Sequence, residues 1–119
     1  MKPEEIIIEA VKAADRMKGT DISAIEVREA SSITDYYLLM SGSNKLHTQA
    51  LAREIDETLS KHDVRYLRSE GEREGMWILL DYGDVIVQIF HPEERQYYDL
   101  DRLWGDMPKF DISPYITED

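Results

Sequence analysis

The chain has 119 residues, of which 14 are basic and 25 acidic, giving a formal net charge of −11, and it contains no cysteine. That length suits a single domain able to bury roughly two-thirds of its unfolded surface, and the lack of cysteine excludes disulfides and cysteine-based metal or redox sites. The acidic balance repels phosphates within about 8 Å at physiological salt, so little direct nucleic-acid binding is expected and a basic protein partner, or none, is favoured.

The opening MKPEEIIIEA places only three consecutive isoleucines between acids. It reads neither as a signal peptide nor as a membrane span, and a cytoplasmic location is expected. Pro3 suits a first helical turn, Glu4 and Glu5 complement its dipole, and Gly19 can end it. Ile7, Val11, Ala14 and Met17 recur at helical spacing between them, predicting a helix over 3–18. Strands are expected at 22–28 and 33–40, separated by a turn through 29–32. From 44 to 62 the spacing of Leu51, Ile55 and Leu59 predicts a second helix. A third strand at 64–69, a charged loop SEGEREG and a hairpin of 76–81 with 84–90 follow. His91-Pro92 opens a helical segment through Tyr98, and Asp99 can cap a short helix from Leu100 to Trp104. The resulting order, α-β-β-α-β-β-β-α, predicts an α/β (α+β) domain over residues 1–106, with helices on a mixed five-stranded sheet. Residues 107–119, with two prolines and little periodicity, are expected to lie loosely on the surface.

The hairpin carries the main chemical question. With Tyr82-Gly83 as a two-residue loop, Asp81 faces Asp84 and Trp77 faces Gln88. Side chains alternate, so Met76, Ile78, Leu80, Val85, Val87 and Ile89 form one apolar face, the core. The other face mixes Trp77, Leu79, Asp81, Asp84, Ile86 and Gln88. Two carboxylates directly opposed cost on the order of 0.2–1 kcal/mol unless turn amides, a partner's cation or a metal compensates. A metal pair on one strand needs carboxylates at i and i+2, which project from one face, whereas these sit at i and i+3 across a turn.

SGSNK at 41–45 precedes a helix, where free amides can hold a phosphate, and it resembles the nucleotide grip of nucleotidyltransferases. Those enzymes add metal-binding acids on following strands, and neither VRYLRS nor 85–90 supplies them. The plainer reading is a helix cap with a turn glycine. The three histidines, 47, 62 and 91, lack ligand spacing, and neither a P-loop nor a nucleophile elbow is present. No cofactor and no metal site are assigned. What remains is a recognition surface. Arg95, Tyr98 and Arg102 fall near one side of the C-terminal helical segment, while Leu100, Leu103 and Trp104 form an i, i+3, i+4 stripe suited to packing on the sheet. Trp, Tyr and Arg are the residues that most often anchor protein interfaces. The candidate partner-binding set is therefore Trp77, Asp81, Asp84, Arg95, Tyr98 and Arg102. A metal-dependent nucleotidyltransferase and an acidic adaptor for another protein are the alternatives.

DISAIEV, SSITDYYLLMSGS, the helix with ALAREI, the SEG loop and WILLDYGDVIVQIFHPEERQYYDLDRLWGD occur in an order and spacing that resembles the ribosomal silencing factor S, or Iojap-like, family. The likeness spans about three-quarters of the chain. It implies a nucleotidyltransferase-like fold that has lost catalysis, and therefore a protein that is not an enzyme. It further implies binding to the large ribosomal subunit through its ribosomal protein numbered fourteen, steric blocking of small-subunit joining, repression of translation, and homodimer formation. The family often shows histidine where this chain has Gln88, so no imidazole role carries over to that position.

Overall fold

The computed structural model describes residues 1–117. Helix α1 (Pro3–Arg16) begins on Pro3, with the Glu5 carboxylate accepting from the Lys2 backbone N–H at 2.8 Å. It buries Ile6, Ile7, Ala10, Val11, Ala13 and Ala14 along one stripe. The left-handed residue that ends it is Lys18 (φ 61°) rather than Gly19. The Gly19 amide returns to the Ala14 carbonyl at 2.8 Å, closing a Schellman-type cap.

Six strands follow: β1 (Thr20–Glu26), β2 (Tyr36–Ser41), β3 (Arg68–Glu70), β4 (Trp77–Asp81), β5 (Val85–Phe90) and β6 (Lys109–Phe110). Helix α2 (Lys45–Ser60) lies between β2 and β3, and the short α3 (Pro92–Tyr98) and α4 (Leu100–Leu103) follow β5. The strands form one mixed sheet in the order β3-β4-β5-β2-β1-β6. β2 and β5 pair in parallel and the other neighbours antiparallel. A parallel pair needs a long crossover, and α2 with the β3–β4 hairpin supplies it. Being central, β2 and β5 are covered on both faces, which is why Tyr36–Ser41 and Val85–Phe90 read as almost unbroken apolar runs.

The sheet thus has two unlike faces. On one, α1 and α2 pack against Leu38, Met40, Ile78, Leu80, Val87 and Ile89, the main core. On the other, Ile25, Val27, Leu39 and Phe90 form a smaller cluster, sealed by Leu100, Trp104 and Met107 from the C-terminal helical segment.

Two expectations are corrected. The sheet has six strands, not five, because Lys109 and Phe110 pair with Ile25 and Ala24 as edge strand β6. The expected loose tail is instead packed: Ile112 is only 7% exposed, and Phe110, Tyr115 and Ile116 lie against the main core. The Thr117 amide also donates to the Asp15 carboxylate at 3.1 Å. Burying such side chains is worth roughly 1.5–3 kcal/mol each, enough to order a segment without periodicity. Residues 118 and 119 lie outside the described residues.

Candidate functional site

The β4–β5 hairpin keeps the predicted faces but not the predicted register. Asp81 pairs with Ile86, Leu80 with Val87, Leu79 with Gln88, Ile78 with Ile89 and Trp77 with Phe90. The Tyr82 amide donates to the Val85 carbonyl at 2.9 Å, so the two-residue loop is Gly83-Asp84, one residue later than expected. Gly83 has φ 88°, and glycine in the first loop position is what a type II′ turn demands, whereas Tyr82 there would be strained. Moving the loop by one residue slides the pairing by two, which leaves every side chain on its face.

Asp81 therefore does not oppose Asp84. Its side chain is 15% exposed and its carboxylate is committed locally. One oxygen accepts from the Gly83 amide at 2.8 Å, and the other from Arg68 Nε at 3.3 Å. Asp84 is exposed at the turn, and its carbonyl accepts from the Asp35 and Tyr36 amides, tying the hairpin tip to the start of β2.

Trp77 lies half-buried at the far end of the same face, about 13 Å from Asp81 at the usual rise of a strand. Its indole N–H donates to Gln88 Oε1 at 3.0 Å. Its ring centroid lies 5.0 Å from Phe90 and 4.7 Å from Tyr98. Tyr98 is 47% exposed, and Tyr97, packed edge-on against it at 5.0 Å, is more exposed still. Trp77 and Tyr98 are thus brought together, as an aromatic pair with one side in the protein and one in water.

Arg95 has a different role from the one expected. Its side chain is only 10% exposed, which withdraws it from any direct contact with a partner. It makes a bidentate pair with Asp101 (2.7 and 2.8 Å) and also donates to Ser41 Oγ at 3.1 Å and to the Asp21 carbonyl at 2.8 Å. Its guanidinium also sits 5.9 Å from the Phe90 ring centroid. That hydrogen bond from Arg95 holds the Asp101 carboxyl below its ordinary range, against the opposing effect of burial. Neither α3 nor α4 has a buried residue, so Arg95 is the polar bolt that fastens this segment over β1, β2 and β5. Arg102 is exposed on α4 and has no ion pair among the described residues.

Around the hairpin, the register places Arg68 beside Asp81 and Glu70 beside Leu79 on this open face. Arg68 bridges the two acids, at 3.3 Å to each. Leu79, Glu70 and Gln88 were not among the predicted site residues. The alternation of the hairpin already put Leu79 and Gln88 on this face; Glu70 depends on the pairing of β3, which local sequence does not reveal. The outcome is a shallow, part-exposed apolar strip on β4, Trp77 and Leu79, rimmed by Glu70, Asp81 and the exposed tyrosines of α3.

The stretch at 41–45 is built as a cap rather than a phosphate cradle. The Ser43 amide donates to His47 Nδ1 at 2.8 Å, the His47 amide to Asn44 Oδ1 at 2.9 Å, and the Thr48 amide to the Asn44 carbonyl at 3.0 Å. With Nδ1 accepting, His47 carries its proton on Nε2 and donates to the Met17 carbonyl at 2.7 Å. The Ser43 and His47 amides are thereby spent on the cap rather than left for a phosphate. Among the described residues no group of three or more His, Cys, Asp or Glu could hold a metal ion, and no helix is long and apolar enough to cross a membrane.

Comparison with known proteins gives these features a setting. The model of the family described as "Ribosomal silencing factor during starvation" matches residues 1–119. Ribosomal silencing factor RsfS of Bacillus subtilis is 38% identical over 112 residues, covering 94% of this chain and 95% of that protein. A crystal structure of protein CV0518 from Chromobacterium violaceum superimposes with a TM-score of 0.85 at 33% identity, covering 88% of each chain. A more distant relative, mouse "Mitochondrial assembly of ribosomal large subunit protein 1", is 29% identical over 87 residues, 71% of this chain and 38% of that protein.

Proposed function

The chain belongs to the ribosomal silencing factor (RsfS) family, and from that premise we propose that it docks on a protein of the large ribosomal subunit at the joining face and keeps the small subunit off by bulk. The silencing role and the absence of enzymatic activity come with the family. The partner, the docking face and the steric mechanism are our reading.

The observation that carries it is the open face of β3 and β4. Its Trp77–Tyr98 pair and Leu79 strip stay accessible while α1 and α2 cover the opposite face. A half-exposed Trp–Tyr pair beside a central apolar strip has the make-up of an interface hot spot. The acids rimming it suit a basic ribosomal protein, and the net charge of −11 repels the surrounding rRNA phosphates. Attraction to one patch and repulsion from its surroundings set orientation more than affinity. The name of the mouse relative, which refers to assembly of the large subunit, supports the choice of subunit. Asp84 at the hairpin tip and Arg102 on α4 belong to the rim, where charges contribute to steering. Arg95 acts by holding the Tyr98 segment in place. A cytoplasmic location and a homodimer in the free protein complete the proposal.

Sedimentation of the protein with purified subunits tests it. Co-migration with large but not small subunits, together with a fall in the fraction of joined ribosomes, is expected. No co-migration, or undiminished joining at saturating protein, would sink the idea.

A further inference from the structure

The largest described cavity lies behind the docking strand, on the side of the sheet covered by α2, and has a volume of about 530 Å³. One wall is the outer stripe of α2, with Gln49, Arg53 and Asp56; the other is Tyr66 and the β3–β4 turn, with Glu72 and Arg73. The turn is held in shape. Gln49 Nε2 donates to the Glu72 carbonyl at 2.7 Å, and Gly71 (φ 85°) and Gly75 (φ 69°) adopt left-handed conformations. A Cβ on Gly71 would sit 2.0 Å from the Trp77 carbonyl oxygen, so this path is one that only glycine can follow.

Two features of the cavity bear on what it could hold. First, Arg16, Arg28, Arg65, Arg68 and Arg95 each have a hydrogen-bonding or ionic partner, whereas Arg53, Arg73 and the distant Arg102 have none among the described residues. Arg53 and Arg73 thus line one cavity with their guanidinium donors unspent, although Asp56 and Glu72 line it as well. Second, the Tyr66 ring is 39% exposed and braced edge-on by Tyr82 at 6.3 Å.

We propose that this cavity is a binding site for a mononucleotide, with the phosphate held by Arg53 and Arg73 and the base stacked on Tyr66. Guanidiniums pair with phosphate oxygens in a bidentate fork, and every base offers a π-face to an aromatic ring. Asp56 and Glu72 then meet the amino and imino donors of the base or the ribose hydroxyls. The volume falls within the usual range of small-molecule sites. The site makes no use of the docking face and stands or falls independently of it.

Titration of AMP and GMP into ¹⁵N-labelled full-length protein at low salt tests the inference by amide shifts. Saturable shifts confined to residues around Gln49, Asp56, Glu72 and Arg73 are expected with both. Arg53→Ala and Arg73→Ala should each weaken binding about tenfold, and Tyr66→Leu, at a partly exposed position, by a similar factor. Ribose 5-phosphate and adenosine, each lacking one half of the ligand, should bind at least tenfold more weakly than AMP. Absence of saturable shifts at 10-mM-scale AMP and GMP overturns the proposal. So do shifts matched by inorganic phosphate alone, shifts indifferent to the arginine substitutions, or binding of a short single-stranded oligonucleotide with none of the mononucleotide. Thermal unfolding of each variant confirms that losses are not losses of fold.

Discussion

Replacing Arg95 with alanine should release the α3–α4 segment while leaving the main core folded. The side chain makes two hydrogen bonds to uncharged acceptors, Ser41 Oγ and the Asp21 carbonyl, and one bidentate pair with Asp101. Each bond from the charged group to an uncharged acceptor is worth about 1.5 kcal/mol net, the low end for a charged partner. The Asp101 side chain is 45% exposed, so its pair is discounted to about 1 kcal/mol for solvent screening. The total is about 4 kcal/mol, nearly all of it local, since α3 and α4 bury no residue of their own. Exchange of the Asp99, Leu103 and Trp104 amides, bonded within this segment, should speed up by roughly several hundredfold, with little change in β2 and β5. The near-ultraviolet circular dichroism of the Trp77–Tyr98 pair should weaken in parallel. There is a pH signature as well. Asp101 titrates below its ordinary value because Arg95 stabilises the carboxylate, so this contribution is full above about pH 4 and is lost as pH falls through the folded-state value. In Arg95→Ala that acid-dependent loosening should disappear. Protection of these amides within fivefold of wild type, with unchanged near-ultraviolet dichroism, would refute the role assigned to Arg95.

Other outcomes follow from the same geometry. Tyr98→Ala removes a half-exposed ring that donates no hydrogen bond among the described residues, and should weaken binding to the large subunit by roughly 2 kcal/mol, about thirtyfold; equilibrium sedimentation with subunits measures it, and unchanged affinity removes Tyr98 from the interface. Trp77→Ala should cost at least as much binding, and some stability too, because Gln88 Oε1 loses its donor. Tyr82→Phe removes a buried hydroxyl that has no partner, so denaturant unfolding should show equal or greater stability, by up to about 1 kcal/mol; a clear loss would mean the hydroxyl is satisfied in solution. Gly71→Ala drives a Cβ into the Trp77 carbonyl, and its melting temperature should fall by 10 °C or more, on the order of 3 kcal/mol for a domain of this size.

How far the sequence discloses this architecture depends on the range of the interaction involved. The two long helices and the inward faces of β4 and β5 were legible because periodicity is local, and a two-residue slip of register leaves faces unchanged. The slip itself was not legible, since a glycine at position 83 serves equally as the second residue of one primed turn or the first of another. Strand β6 consists of Lys109 and Phe110 alone and exists only because β1 offers an edge; two residues carry no period. Arg95 looked like an interface anchor because composition marks arginine as one. Its partners at Ser41 and Asp21 lie 54 and 74 residues away, a separation at which neither spacing nor charge pattern speaks. For Trp77, by contrast, the alternation of the hairpin gave its face, and the fold places its ring 4.7 Å from Tyr98.

The claim that the β3–β4 face meets the ribosome is tested most directly by site-specific photo-crosslinking. A photoreactive residue is placed either at Glu70, exposed on that face, or at Glu57, exposed on α2 on the opposite side of the sheet. With purified large subunits, the account predicts a crosslink from position 70 to a ribosomal protein of the joining face and none from position 57. A crosslink from position 57 alone, or from position 70 to rRNA alone, would contradict it.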